Sequence, residues 1–358
     1  MRFHAPYLEW AKKRPAAAFD LAGSNVLSCS IDDLEGAREA LALSGSNDNG
    51  YEPLVDAIGR RYGVRAEQVA TANGAAGANF QACAAVLEPG DDVLVERPGY
   101  DPLLGAARLL GANINRFERR FDEGYALNPD GVARALTPRT RLIIMSSPHN
   151  PTGALADRAS LEAIGHLARK AGAHVLVDEV YLDAADAAIE PAALLGDPFI
   201  ATSSLTKSYG LSSLRCGWSL SSPAVAERIR RARDVIDGSG SIAAERLGTL
   251  AFAQLGRLEA RTAALLAVNR PLVHEFLRAR PELEVVLPRN STVVFPRIRG
   301  VDDTSAFAEH LLADRGTAIV PGRFFEAPAH FRLGFGGPTD VVRAGLEHLG
   351  AALDGLHS

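Results

Sequence analysis

A chain of 358 residues with 47% hydrophobic and 23% charged residues has an ordinary globular composition, and its length points to two domains rather than one core. A net charge of -5, a pI near 6.0 and the lack of any basic run argue against a nucleic-acid partner. Cys29, Cys83 and Cys216 lie far apart with no CxxC, no run approaches the ~20 apolar residues of a membrane span, and Arg2, His4, Glu9 and Lys12 break the N-terminus, so neither disulfide framework, zinc site, spanning helix nor signal peptide is expected and a reducing cytoplasm fits.

Residues Leu8 to Phe19 read as a short helix ended by Pro15, or as an extended arm lying across the surface or a partner. The run FDLAGSN, Phe19 to Asn25, stops at Gly23, where backbone could approach a ligand or simply turn. After a polar loop at Ser44 to Gly50, Leu54, Ile58 and Tyr62 recur at helical spacing up to Gly63. Gln68 to Thr71 is strand-like and leads into NGAAGANFQACAAVLEPG, a helix opened by small residues and stopped by Pro89 and Gly90. With Gly74, Ala75 and Ala76 at its start, the first N–H groups stand clear of bulky side chains, which suits a phosphate. The same stretch is a defective dinucleotide fingerprint, because the first glycine of GxGxxG would fall at Ala72.

Strands follow at Val93 to Glu96, Asn113 to Phe117 and Leu142 to Met145 with helical segments between them, which predicts a mostly parallel sheet. The first runs into a loop presenting Tyr100, an aromatic able to stack on a flat ring. The third runs into SSPHNPTG, where Asn150 stands between Pro148 and Pro151 with its amide oriented to donate to an oxygen. A helix capped by Asp157 and closed by Gly172 carries Leu161, Ile164 and Leu167 on one face, and the strand His174 to Val177 then ends in Asp178 and Tyr181. Ligands of open α/β sheets gather at the carboxyl ends of strands, which places Asp178 and Tyr181 at a site.

The strand Phe199 to Thr202 delivers SSLTKSYGLSSLRCGW in the same way. Lys207 is the candidate nucleophile, since an amine condenses with an aldehyde only when neutral, through desolvation or a cationic neighbour. Arg215 could be that neighbour, or could hold a phosphate with its planar fork beside the hydroxyls of Ser204 and Thr206; both charges could equally be solvated loop residues. The ligand that unites these features is an aldehyde carrying a phosphate, namely pyridoxal phosphate.

Val225 to Ile236 is an amphipathic, arginine-rich helix, and Ile242 to Arg280 is strongly helical with a kink expected at Pro271. Strand-like pieces at Glu284 to Val286, Thr292 to Arg297, Thr317 to Val320 and Phe331 to Phe335, with helices near Ser305 to Ala313 and Val341 to Leu353, form a smaller α+β layer. Within FRLGFG, Arg332 stands on an apolar strand and needs a partner, either a substrate carboxylate or a salt bridge inside that layer.

Taken in order, NGAAGA, PGYDP, SSPHNPTG, DEVY, SLTKSYGLSSLR and FRLGFG resemble the fold-type I pyridoxal-phosphate enzymes of the class I and II aminotransferase group over nearly the whole chain. The resemblance implies an α/β large domain, residues 41–254, with a mostly parallel sheet sandwiched by helices, and a smaller α+β domain built from residues 1–40 and 255–358. It implies Lys207 as the internal-aldimine lysine and later the proton-moving base, Asp178 against the pyridine nitrogen, Tyr181 and Asn150 on the ring oxygen, and Tyr100 stacked on the ring. Gly74, Ala75, Ser204 and Arg215 would bind the phosphate, and Arg332 the substrate carboxylate with Asn150 and the backbone of Gly23. It further implies a cytoplasmic homodimer acting on an α-amino acid and a 2-oxo acid, with no metal, nucleic acid or membrane.

The implied reaction is transamination. A carbon–sulfur lyase, or an elimination or cyclisation enzyme akin to aminocyclopropane-carboxylate synthase, would use the same constellation. A cofactor-sensing regulator would need a basic helix-turn-helix that does not precede this sequence, and a nicotinamide dehydrogenase leaves Lys207 unexplained. The family often brings a tyrosine from the neighbouring subunit to the phosphate, just before the glycine matched by Gly50; this chain has Ser44, Gly45, Ser46 and Asn47 there. Side-chain preference falls to loops around Gly23 to Asp33, Ser44 to Tyr51 and Asp237 to Ile242, with no evident second arginine for an acidic substrate.

Overall fold

The computed structural model describes residues 4–185, 189–289 and 291–357. The chain opens with α1 (Pro6–Lys13), β1 (Phe19–Asp20), the short α2 (Ala37–Ala40) and α3 (Glu52–Tyr62). Strands and helices then alternate: β2 (Val69–Asn73), α4 (Gly74–Val86), β3 (Asp92–Arg97), α5 (Asp101–Leu109), β4 (Asn113–Glu118), α6 (Pro129–Ala135), β5 (Thr140–Ser146), α7 (Arg158–Ala171), β6 (His174–Asp178), β7 (Phe199–Ser204), β8 (Cys216–Leu220), α8 (Pro223–Ile236) and α9 (Ile242–Ala253). The remainder is α10 (Leu255–Arg278), β9 (Leu283–Glu284), β10 (Val293–Val294), β11 (Arg297–Ile298), α11 (Ser305–Arg315), β12 (Thr317–Ala318), β13 (Val320–Pro321), β14 (Phe331–Gly334) and α12 (Thr339–Asp354).

Seven strands make one sheet in the order β2-β8-β7-β6-β5-β3-β4, parallel throughout except for β8, which runs against both neighbours. Successive strand residues point to opposite faces, and here both faces are apolar. Val93, Val95, Leu142, Ile144, Leu176 and Ile200 pack under α4, α5 and α8, while Leu94, Ile143, Met145, Val175, Val177 and Phe199 pack against α6 and α7. A parallel sheet needs that double cover, because its crossover helices occupy both sides. The result is the expected α/β sandwich.

A smaller α+β layer surrounds Leu277, Phe331 and Leu349, with the antiparallel sheet β10-β14-β13 and the pair β9-β11 against α10, α11 and α12. The N-terminal segment belongs to this layer: β1 pairs in parallel with β12, and Leu21 enters the same core. Among the described residues no helix is long and apolar enough to cross a membrane.

α1 is a short helix on the protein's own surface, anchored by Tyr7, which is buried in a cluster with Phe295 and Phe325. One expectation is corrected and one strand is added. The helix expected from Ile242 to Arg280 is two helices, broken at Gln254, with Pro271 inside α10. Gln254 leaves helical geometry (φ -120°, ψ 15°) while its side chain accepts from Glu35 N and donates to Glu35 O, so the N-terminal segment holds the break. Finally β8, unforeseen, completes the sheet immediately after Arg215.

Candidate active site

Adjacent parallel strands bring their carboxyl ends together, and the register Ser146–Asp178–Thr202 puts the ends of β5, β6 and β7 level. Asn150 from the loop after β5, Asp178 and Tyr181 from the end of β6, and Ser204 and Lys207 from the end of β7 line one cavity of about 440 Å³. Ala75 at the start of α4, Tyr100 just before α5, and Arg215 complete its wall. A larger cavity of about 620 Å³ lies elsewhere, and its Arg61 is already paired with Asp183 (3.2 Å) and Glu259 (2.6 Å).

At one end the cavity is built for an anion. Gly74 has φ +71°, and a Cβ there would collide with the Arg215 guanidinium. Its N–H donates to Arg215 O at 2.8 Å, which draws the arginine loop against the start of α4. Arg215 is exposed and donates to Ser212 O (3.2 Å) and Asn73 O (3.3 Å). The Thr206 hydroxyl is buried with no partner among the described residues, a group that a phosphate oxygen would satisfy. Ala75 and Ala76 face the cavity from the positive end of a 13-residue helix.

In the middle stand Asp178 and Lys207. Asp178 Oδ2 accepts from Asn79 Nδ2 at 2.8 Å and Oδ1 from Val180 N at 3.1 Å. Burial pushes its carboxyl above the ordinary value, opposed by those two donors and by the Lys207 charge. Lys207 Nζ donates to Asn25 Oδ1 (2.6 Å) and Ser24 Oγ (2.9 Å) and stands 5.9 Å from the Tyr181 ring centre. Burial first, then the Arg332 charge, lowers the lysine to about 7, with Asp178 opposing. Arg215, the cationic neighbour suggested by the sequence, contributes less than Arg332. Burial also raises the phenols of Tyr181, to about 12, and of Tyr100.

At the far end Arg332 is fully buried. Its Nη1 donates to Asn150 Oδ1 (2.9 Å), and its Nη2 to Tyr7 OH (2.7 Å) and Ala22 O (3.0 Å). Its Nε–H is buried with no hydrogen-bond partner among the described residues. Asn150 is anchored from below: its N–H donates to Ser146 Oγ (3.0 Å), and Ser146 N and Oγ each donate to Glu96 at 2.7 Å. Glu96 pairs with Arg119 at 3.1 Å, both out of contact with water. Gly23 lines an adjoining cavity with Ser24, Asn25 and Lys207, and its carbonyl backs onto Gly334, where any Cβ would overlap it.

Four residues of this site were not singled out from the sequence. Ser24 and Asn25 lie in the FDLAGSN run, where only Gly23 drew attention. Asn79 carried a signal, a polar residue within an apolar helix. Tyr7 carried none, because nothing local predicts that it meets Arg332. Asn47, in the loop that lacks the tyrosine, donates to Gly240 O and Glu245 Oε2, both at 2.8 Å.

This donor set fits pyridoxal phosphate. An unpartnered hydroxyl, an arginine and a helix start could hold its phosphate, a buried carboxylate its ring nitrogen, and a lysine near neutrality its aldehyde. The comparisons with known proteins point the same way. A profile of the family described as aminotransferase class I and II matches residues 27–349. The chain is 30% identical to capreomycidine synthase of Streptomyces vinaceus, over 99% of this chain and 94% of that one. It superposes on a pyridoxal-phosphate-dependent aminotransferase from Streptococcus suis with a TM-score of 0.93 and 26% identity, covering 99% and 98% of the two chains. The crystal structure of the pyridoxal-phosphate-dependent cyclase OrfR matches with a TM-score of 0.87 and 27% identity, over 99% of this chain and 97% of that one. The chain therefore belongs to the class I and II aminotransferase family, whose members are fold-type I enzymes dependent on pyridoxal phosphate.

Proposed function

We propose that the protein is a transaminase that moves an amino group between an α-amino acid and a 2-oxo acid, with Lys207 as nucleophile and proton carrier. The observation that carries this reading is that the Lys207 amine, the Asp178 carboxylate and the Asn150 amide line one cavity, with buried Arg332 donating to Asn150 and the lysine near neutrality. When bound there, pyridoxal phosphate supplies an electrophilic aldehyde and a protonated ring that takes up electrons from the substrate α-carbon. Asp178 holds the proton on the ring nitrogen. Asn150, its oxygen engaged by Arg332, has its amide N–H groups left to donate to the ring oxygen, and Tyr181 would donate to the same atom. Ala75, Ser204, Thr206 and Arg215 would hold the phosphate, with Gly74, whose N–H is committed to Arg215 O, shaping the start of α4, and Tyr100 would cover a ring face. Arg332 binds the substrate carboxylate, with the backbone of Gly23 beside it. Lys207, tethered at the same cavity, would serve as the base that carries a proton to and from the substrate α-carbon.

The reading includes a large domain over residues 41–254, a small one from residues 1–40 and 255–358, and a homodimer in the cytoplasm. Leu43 is 96% and Val235 89% exposed, apolar surface that a second copy would cover. A second reading, elimination or cyclisation on the same residues, is favoured by the likeness to capreomycidine synthase and to the cyclase OrfR. An amino-donor screen on the purified, cofactor-loaded protein separates the two. Loss of the cofactor's visible band with an amino acid, restored by a 2-oxo acid, marks transamination. Release of ammonia with a keto acid, or a cyclic product with the band retained, marks the second. A protein that takes up no pyridoxal phosphate defeats both.

A further inference from the structure

Behind Asp178 runs a buried polar relay that none of the roles above uses. Asn79, on α4 five residues beyond Gly74, is 5% exposed, and Thr202 on β7 is fully buried. The Thr202 hydroxyl meets Asn79 Oδ1 at 2.5 Å, and Asn79 Nδ2 meets Asp178 Oδ2 at 2.8 Å. The direction of this relay is forced. A carboxylate only accepts, so the amide must turn its nitrogen to Asp178 and its oxygen to Thr202, whose hydroxyl then donates. Val180 N supplies the other carboxylate oxygen at 3.1 Å, so each oxygen has one protein donor.

We propose that Asn79 is a positioning residue for the reaction: with Thr202 behind it, it holds the Asp178 carboxylate ionised and in one orientation against the ring nitrogen of pyridoxal phosphate. This rests on reading Asp178 as the partner of that nitrogen. The placement has a geometric consequence. Ala75 faces the cavity at the anion end and Asn79 stands four residues further along the same helix, about 6 Å at 1.5 Å per residue. One rigid element thereby sets the spacing between the phosphate grip and the ring-nitrogen grip. It has an electrostatic consequence as well. Burial favours the neutral carboxyl, and donors to the ionised form oppose that. Without Asn79 the burial is opposed only by Val180 N–H and the Lys207 charge, and a neutral Asp178 does not keep a proton on the ring nitrogen.

The test compares wild type with Asn79→Ala and Thr202→Val by two readouts. In the cofactor-free protein the Asp178 carboxyl is titrated by carbon-13 NMR, its signal assigned with Asp178→Asn. Its midpoint should rise by one pH unit or more in Asn79→Ala and by less in Thr202→Val. Affinity is then measured for pyridoxal phosphate and for its 1-deaza analogue, which has carbon in place of the ring nitrogen. Wild type should prefer the natural cofactor, and Asn79→Ala should lose at least fivefold of that preference. Equal weakening toward both compounds, or an unmoved carboxyl midpoint in both variants, overturns the proposal. Should Asn79→Ala fail to fold, Thr202→Val, which keeps shape and volume, decides by the same measurements. A wild-type protein without affinity for pyridoxal phosphate would defeat the functional reading, while the titration would still report whether Asn79 holds Asp178.

Discussion

Arg332 Nη1 donates to Asn150 Oδ1 across 2.9 Å, joining a strand of the small α+β layer to the loop at the end of β5. A guanidinium has no acceptor, so this contact commits the amide oxygen and leaves the amide N–H groups to donate elsewhere. On the proposed reading, the arginine that would bind the substrate carboxylate also sets which way Asn150 presents its donors. Tyr7, which accepts from the same guanidinium at 2.7 Å, brings α1 into that coupling.

From this arrangement, Arg332→Lys should lose the paired donors while keeping the charge. Truncating a buried, hydrogen-bonded charge typically costs 2–5 kcal/mol, so KM for the amino acid should rise by about 100-fold with cofactor affinity little changed. Tyr7→Phe removes one bond to a charged group, worth about 1.5–3 kcal/mol, and should raise KM roughly tenfold or more. Steady-state kinetics with the cofactor's visible spectrum checks both; an unchanged KM in Arg332→Lys refutes the carboxylate assignment.

The lysine makes stability depend on pH. Its folded-state value of about 7 lies below the ordinary value of about 10.4. Between these values the unfolded chain binds a proton that the folded chain does not, so stability rises with pH over that window. Below pH 7 the cost of burying the ammonium is present in full, and it is released as pH approaches 10.4. Urea midpoints of the cofactor-free protein should climb from pH 7 to 10, and Lys207→Met should flatten the climb. Parallel curves for the two proteins would show the amine to be unperturbed.

At the phosphate end, Gly74→Ala places a methyl group against the Arg215 guanidinium at a backbone angle that L-residues avoid. Thr206→Val removes a buried hydroxyl that lacks a partner among the described residues. Each should weaken pyridoxal phosphate binding by about tenfold or more, as expected for losing a hydrogen bond to a charged group at about 1.5–3 kcal/mol. Equilibrium dialysis measures it, with pyridoxal lacking the phosphate as control; a matching loss for pyridoxal would assign the effect to general disruption.

The buried Glu96–Arg119 pair supports the Asn150 loop through Ser146. Arg119→Met strands a buried carboxylate and should cost about 3–5 kcal/mol in denaturant unfolding. Glu96→Gln combined with Arg119→Met should recover much of that loss, because no unpaired charge remains. If the double variant is as unstable as the sum of the singles, the pair is not acting as a unit.

The positions of Asn150, Asp178 and Lys207 could be read from the chain because each follows a short apolar strand, and a parallel sheet presents its ligand groups at carboxyl ends. α7 was equally plain: Asp157 accepts from Ser160 N as its cap, and Gly172 closes it at φ +67°. β8 was hidden because five residues containing Gly217 carry no period of their own, and their strand form depends on pairing with β2 and β7.

The sequence alone determined the alternation of strands and helices and which polar groups stand at the strand ends, because apolar period, caps and turn residues act within a few positions. Only the tertiary structure decided which polar groups meet. Asn79 reaches Asp178 across 99 positions, Ser24 reaches Lys207 across 183 and Tyr7 reaches Arg332 across 325. A hydrogen bond is satisfied by whichever partner packing delivers, and no local pattern records a partner that arrives from the other end of the chain.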